Sequence, residues 1–235
     1  MDVVEIKLDG PSMNALGSEA MQRLLDEIKE AGGRPLLLTS AGPAFSAGLD
    51  LKEVASLDHL GMERFLKLLE RMVRALFSYP GPTCAVIDGH AIAGGCILAL
   101  CCDVRVASDK PKARIGLNEV ALGLHFPPNL LRMVLYRLPV HHREEVVLTG
   151  GLFSPPEALR LGLIDAVSDE AEALGRRKLE RLAALPPLAY ADAKLKLRAE
   201  AMTSDPEEDR RFLSESLSTW TSPELKARLL AIIGK

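Results

Sequence analysis

The sequence predicts an α/β core followed by a helical C-terminal portion. Three observations carry that reading. Short apolar runs that read as strands alternate with helical stripes up to about residue 167. Strand signals almost vanish from about Asp169 onward. Proline and glycine pairs fall where turns and first helical turns need them. No solenoid-length repeat or low-complexity segment interrupts the pattern.

Val3 to Leu8 alternates as a strand, and Gly10-Pro11-Ser12 breaks it. Ser18 then precedes a helix over Glu19 to Ala31, with Met21, Leu24, Leu25 and Ile28 on one face and Gly32-Gly33 as its stop. Pro35 to Thr39 reads as a buried strand, followed by a loop of small residues over 40–48. A long helix spans about Leu60 to Phe77; its stripe is Phe65, Leu68, Leu69, Met72, Val73 and Leu76, and Pro80-Gly81-Pro82 ends it. Thr83 to Ile87 is a strand, Asp88-Gly89 a turn, and Cys96 to Cys102 an apolar helix after Gly94-Gly95. Asp103 to Ala107 reads as a strand, and Arg114 to Leu117 as a short one leading into Asn118-Glu119. Pro127-Pro128 and Pro155-Pro156 each open a helix.

The 235 residues suffice for one large domain, or one domain with a helical extension. Hydrophobic residues at 48% and charged ones at 26% give an ordinary soluble balance, with core enough to need no staples. A net charge of -3 and 4% aromatics offer no footing for nucleic acid or for a basic membrane-surface protein. No apolar run reaches the roughly 20 residues that span a bilayer. Met1 to Glu5 has no basic segment of a signal peptide. Cys84, Cys96, Cys101 and Cys102 lack metal-knuckle spacing and read as buried reduced thiols of a cytoplasmic protein. No metal is expected.

Two loops carry the chemistry. One is Ala44-Phe45-Ser46-Ala47-Gly48-Leu49-Asp50-Leu51; the other runs from Asp88 through Gly94-Gly95 to Cys96. Each follows a strand and leads toward a helix. Small residues let backbone N–H groups approach a ligand, and a helix starting at Gly94-Gly95 would aim its positive end there. Two converging N–H groups make an oxyanion hole. Close helix packing is the alternative role for Gly94-Gly95. Phosphate-loop and serine-hydrolase motifs are missing.

The segments AFSAGLDLKE (44–53), IDGHAIAGGCILALCCDVRVAS (87–108) and IGLNEVALG (115–123) resemble the crotonase superfamily, the enoyl-CoA hydratases and isomerases, in the family's own order. NALGSEAMQRLLDEI (14–28) and LTGGLFSPPEALRLGLIDAV (148–167) fit as well. The resemblance implies a crotonase-like spiral of ββα units over 1–167 that binds acyl-CoA, and a helical region over 168–235 involved in oligomerisation. It implies a homotrimer or a dimer of trimers, with a coenzyme A thioester as substrate and no cofactor. Backbone N–H groups of Leu49 and Gly94 would polarise the thioester carbonyl, and Ala47, Asp50, Leu51, Ile97 and His125 would line the substrate site.

Hydratases of this family use two glutamates, one just after the Gly-Gly-Cys turn and one at the position of Glu119. Here the first position is Ile97, which can neither hold water nor move a proton. By itself Glu119 could be a helix-capping or solvated glutamate; the register of its motif makes it the candidate base. One carboxylate suffices to move a proton from C2 to C4 and so shift a 3-enoyl-CoA to a 2-enoyl-CoA. IGLNE resembles the single-glutamate isomerases more than the hydratases. Hydration, thioester hydrolysis and decarboxylation remain as alternatives, with His90 or His125 as second polar group. A non-catalytic acyl-CoA-binding subunit is the alternative of another kind. Lys52 could meet a coenzyme A phosphate; Phe65, Leu68, Leu69 and Met72 could form an acyl pocket or simply core. Asp50 and Asp103 also suit structural hydrogen bonds.

Overall fold

The computed structural model describes residues 2–234. Among these residues nine strands form two sheets: β1 (Val4–Leu8), β2 (Leu36–Ser40), β3 (Ala44–Ser46), β4 (Thr83–Ile87), β5 (His90–Ile92), β6 (Val104–Ser108), β7 (Ile115–Gly116), β8 (Leu152–Phe153) and β9 (Ala166–Ser168). The larger sheet has the order β1-β2-β4-β6-β9 and is parallel throughout. The smaller has the order β3-β5-β7-β8, with only the β7–β8 pair antiparallel. Three times in succession a strand of the large sheet is followed by one of the small sheet and then by a helix: β2-β3, β4-β5 and β6-β7. This is the ββα spiral that the crotonase resemblance implies.

A parallel sheet needs apolar cover on both faces. Leu36, Leu38, Ala85 and Ile87 join the main core with the buried stripes of helices Ser18–Glu30 and His59–Phe77. Their neighbours Leu37, Cys84, Val86 and Val106 point the other way, into a small second core closed by Ala171 and Leu179 of helix Ala171–Ala183. The helical C-terminal region therefore begins by covering the sheet of its own chain. Residue 167 lies inside β9, which pairs with β6. Farther on, Leu217, Trp220, Leu225 and Leu229 enter the main core.

Most predicted elements appear within a residue or two. The loop over 40–48 contains β3, the turn after Asp88 leads into β5, and both are too short to show a periodicity. Helix Leu51–Ser56 was not anticipated; Asp50 starts it by accepting from the N–H groups of Lys52 and Glu53. The apolar helix begins at Gly94, two residues earlier than its stripe suggests. Where a break was expected after Gly10, Ser12, Met13 and Asn14 take left-handed backbone angles. Asn14 is buried there, and its amide nitrogen donates to the carbonyls of Ala41 (3.0 Å) and Ala44 (2.9 Å).

Asp103 ties the tail to the core. Its carboxylate accepts from Thr83 N (2.8 Å), Lys194 Nζ (2.7 Å) and Arg198 Nη2 (2.7 Å). Both cations are buried, so each needs this partner. Replacing Asp103 with Ala strands two buried positive charges. The expected loss is about 3–5 kcal/mol of stability, read from the urea midpoint of the variant against the parent protein.

Candidate active site

The two small-residue loops meet because glycine lets them. Ser46 Oγ donates to Asn14 O (2.8 Å) and accepts from the N–H of Gly48 (3.2 Å), bending the first loop. Gly48 has φ +91°, and a methyl there would stand 2.7 Å from Ile92 O. A methyl on Gly95 would stand 2.3 Å from Ser46 O. No side chain larger than hydrogen fits at either place.

Leu16 bridges the loop on both sides of Leu49: its N–H donates to Gly48 O (2.7 Å), and its carbonyl accepts from Asp50 N (3.2 Å). Among the described residues the Leu49 N–H has no backbone acceptor. The Gly94 N–H is free for another reason: it opens helix Gly94–Cys101, and first-turn N–H groups have no intrahelical partner. The two residues are adjacent, a methyl on Gly94 lying 3.4 Å from Leu49 Cδ2. Just ahead of the helix, Ala93 holds φ 49° and ψ -118°, a costly conformation for a residue with a Cβ. Two residues whose N–H groups lack a backbone acceptor thus lie in contact at the positive end of a buried helix.

Glu119 begins the short helix Glu119–Leu122, which Gly123 ends in the left-handed region. Only 6% of Glu119 is exposed, and its Oε2 has no hydrogen-bond partner; neither has the buried Oδ1 of Asn118. Burial pushes the Glu119 carboxyl up to about 7, opposed only by a hydrogen bond from its own backbone. A buried carboxylate with an open oxygen and a pKa near neutrality is equipped to take up a proton and release it.

Both pieces face one cavity of about 260 Å³. Ala47, Leu49, Leu51, Gly94, Ile97, Glu119 and His125 all line it, as does Leu69. Asp50 does not: its carboxylate serves as the cap of helix Leu51–Ser56. Phe65, Leu68 and Met72 belong to the main core rather than the cavity wall. His90 accepts the Arg114 N–H at Nδ1 (3.1 Å), and Lys52 is exposed, both outside the cavity. Among the described residues no group of three or more His, Cys, Asp or Glu could hold a metal ion, and no helix is long and apolar enough to cross a membrane.

Among the lining residues that sequence reasoning did not name as site residues are Asn118, Phe126, Trp220 and Ile232. Asn118 sits in the IGLNE segment and could have been named with Glu119. Trp220 is the chain's one tryptophan, and a large amphipathic side chain in a polar tail is a signal worth following. Its Nε1 donates to His125 O (3.1 Å), so the tail fixes the stretch after Glu119 as well as walling the cavity.

A profile of the family described as enoyl-CoA hydratase/isomerase matches residues 1–225. The chain belongs to that family. Among its relatives, the mitochondrial enoyl-CoA delta isomerase 1 of Mus musculus is 34% identical over 191 residues, 78% of this chain and 66% of the relative. The human protein of that name is 34% identical over 176 residues, 72% of this chain and 58% of the relative. The chain thus spans less than two thirds of the length of these two relatives. The enoyl-CoA isomerase/hydratase fer4 of Mycosarcoma maydis is 33% identical over 208 residues, 82% of this chain and 76% of the relative. The crystal structure of human mitochondrial delta3-delta2-enoyl-CoA isomerase superposes with a TM-score of 0.92 at 26% identity, covering 99% of this chain and 93% of that one. That of the enoyl-CoA hydratase from Bacillus halodurans gives 0.84 at 26% identity, covering 98% and 96%. The likeness thus includes both activities named in the family.

The raised pKa of Glu119 has a stability consequence whose sign is fixed. Its folded value of about 7 exceeds the ordinary 4.5, so the fold favours the protonated acid. That contribution is complete below about pH 4.5 and is lost as pH rises through 7. Glu119→Gln removes the titration. The variant is expected to match the parent protein near pH 4.5 and to exceed it by on the order of 3 kcal/mol above pH 7. Denaturant melts across that range check it.

Proposed function

We propose that the protein is an acyl-CoA enzyme that shifts a 3-enoyl-CoA double bond to the 2-position. The observation that carries this reading is a single buried carboxylate, Glu119, with one oxygen unpartnered, in a cavity whose other candidate carboxylate position is the apolar Ile97. The carboxylate of Glu119 takes a proton from C2. The C–H electron pair becomes the C1–C2 double bond of a dienolate, and the carbonyl π pair moves onto the thioester oxygen. The N–H groups of Leu49 and Gly94 hold that oxygen, each such donor being worth about 3–4 kcal/mol of barrier. Glu119, now the neutral acid, returns its proton to C4, and the double bond is left in conjugation with the carbonyl. No proton is gained or lost overall, so one residue closes the cycle.

An apolar cavity suits this chemistry. Leu69, Leu124, Leu130 and Ile97 offer water no polar anchor, which disfavours addition across the new double bond. Coenzyme A enters as part of the substrate, and no other cofactor is required. The four buried free cysteines suit a reducing compartment, here taken as the cytoplasm. Exposed Leu188, Leu195 and Leu197 on helix Pro187–Arg198 are the surface we assign to assembly into a trimer or a dimer of trimers. Hydration is the second reading, because His125 lines the cavity and relatives carry the hydratase name.

Absorbance of the conjugated enoyl thioester separates the readings. With a 3-enoyl-CoA the signal is expected to rise, and with a 2-enoyl-CoA to stay level. Glu119→Gln is expected to lower the rise by about a hundred- to ten-thousand-fold while the thioester still binds. A Glu119-dependent fall with the 2-enoyl-CoA makes the protein a hydratase; thioester binding with no absorbance change from either substrate makes it a binding subunit.

The base must be ionised to act. For the wild-type protein, log kcat/KM should fall by about one unit per pH unit below about 7. An acid limb near 4.5 would show that Glu119 titrates as an ordinary carboxyl.

A further inference from the structure

Helix Gly94–Cys101 has a second end, and a cluster of buried cations meets it. Arg137 donates through Nε to Leu100 O (2.8 Å) and through Nη2 to Cys102 O (2.8 Å). Arg198 donates through Nη1 to Cys101 O (3.1 Å) and to Phe77 O (2.5 Å), its guanidinium 4.6 Å from the Phe77 ring centre. Lys194 donates to Gly81 O (2.9 Å) and, with Arg198, to the Asp103 carboxylate that follows the helix. Lys194 and Arg198 are 7% and 4% exposed. Three cations face one carboxylate, and Arg105, the next cation along β6, is neutralised by Asp165 (2.5 Å). The cluster therefore carries a net charge of about +2, three positive against one negative.

A helix presents about half a positive charge at its N-terminus and half a negative one at its C-terminus. Eight residues at 1.5 Å rise put those ends about 12 Å apart. In water the far end would be screened. Here all eight residues are buried, and the negative end would oppose any negative charge gathering at Gly94. The cations cancel that opposition and leave an excess of positive charge behind the helix.

We propose that Lys194, acting with Arg198 and Arg137 through helix Gly94–Cys101, is a positioning residue that strengthens the hold of the Gly94 N–H on the thioester oxygen, and that loss of the Lys194 proton weakens that hold. The proposal rests on the reading of Gly94 as an oxyanion donor. Burial pulls the Lys194 ammonium down to about 8, against the Asp103 carboxylate beside it and with Arg198 adding to the fall. The groups facing Lys194 are Asp103, Arg198 and Tyr190, the last with its ring centre 5.8 Å from Nζ, and Cys102 at the helix end; Arg137 completes the cluster. Of these, Tyr190 and Cys102 are pushed up by burial, away from the range in which Lys194 titrates. Lys194 is then the member of the cluster that changes charge just above neutrality.

The test reads the carbonyl directly. The carbonyl stretching frequency of bound 2-enoyl-CoA is recorded by difference infrared spectroscopy from about pH 7 to pH 10, with circular dichroism as the check on fold. Wild-type protein is expected to shift its carbonyl toward the free-ligand frequency with a midpoint near 8. Over the same range kcat/KM should drop by about five- to tenfold to a second plateau rather than to zero, because the donors themselves persist. Lys194→Arg keeps the charge without titrating there and should hold both readings level. Lys194→Met should show the weaker carbonyl shift at every pH. A wild-type frequency that does not move between pH 7 and 10 overturns the proposal, as does a limb that persists unchanged in Lys194→Arg; if the arginine variant does not fold, the wild-type spectrum decides. Isomerisation with an unmoved carbonyl leaves the functional reading standing without this one. A titrating carbonyl without isomerisation does the reverse.

Discussion

Helix Gly94–Cys101 is buried over its whole length, and a buried helix must find partners for the backbone groups at both ends. At the C-terminal end the molecule supplies them from Arg137 and Arg198, on two other helices, one in the core and one in the tail. At the N-terminal end it leaves Gly94 free. Much of the architecture follows from that asymmetry. Gly95 must be bare of side chain for the Ser46 backbone to lie against the helix start, and Gly48 must be bare for its loop to pass Ile92. Ala93 is held in a strained conformation so that β5 can end and the helix begin within one residue. The strain, the close contacts and the unmet donors are concentrated where a ligand would supply the missing acceptor.

Glu119 repeats the pattern with the opposite sign. Its carboxyl is placed in an apolar cavity with one oxygen lacking any partner, which in a residue selected for stability alone would be a defect. The fold tolerates it because protonation offers an escape: burial raises the pKa to about 7, and the cost of an isolated charge is never met in full. The property that makes the side chain expensive is the one that makes it a usable base near neutral pH. The tail shares in this. Trp220 holds the backbone of His125 and walls the cavity, while Arg228 donates to Leu122 O (2.8 Å) and Lys226 to Leu57 O (2.8 Å). The C-terminal tail and the middle of the chain thus meet around one carboxylate.

Strands β1, β2, β4 and β6 and the long helices were legible because an apolar run, or a period of two or of 3.6, needs only a handful of residues to declare itself. β3, β5 and helix Leu51–Ser56 were not, since three strand residues or one and a half helical turns show no period, and their order comes from pairing and from the Asp50 cap. Within the site, Glu119, Leu49 and Gly94 lie in contiguous motifs whose register transfers directly. Asp50 sits in the same motif, yet its side chain is committed to the helix it begins. Trp220 and Ile232 lie about a hundred residues from Glu119, and only packing of the tail brings them to the cavity. Burial of Lys194 and Arg198 was equally invisible: on a helix whose leucines at 188, 195 and 197 are exposed, the pattern of the sequence is inverted, with cations inside and leucines out.

What separates isomerisation from hydration in such a site is less the base than its surroundings. Both reactions can pass through an enolate held by the same two donors, so Leu49 and Gly94 do not discriminate. Hydration additionally needs a water molecule fixed at C3, and fixing water takes polar partners, usually two to four. Around Glu119 the cavity wall offers Ile97, Leu69 and Leu130, none of which can hold a water by hydrogen bonds. Asn118, with an unpartnered buried oxygen next to the base, and His125 are the polar exceptions. One amide beside one carboxylate could bind a water, but neither group is then free to accept the C2 proton and return it to C4. An isomerase makes no such double demand on Glu119, because the proton it removes is the proton it gives back. The arrangement of one open carboxylate, two backbone donors and an apolar wall therefore favours moving a proton along the substrate over adding water to it.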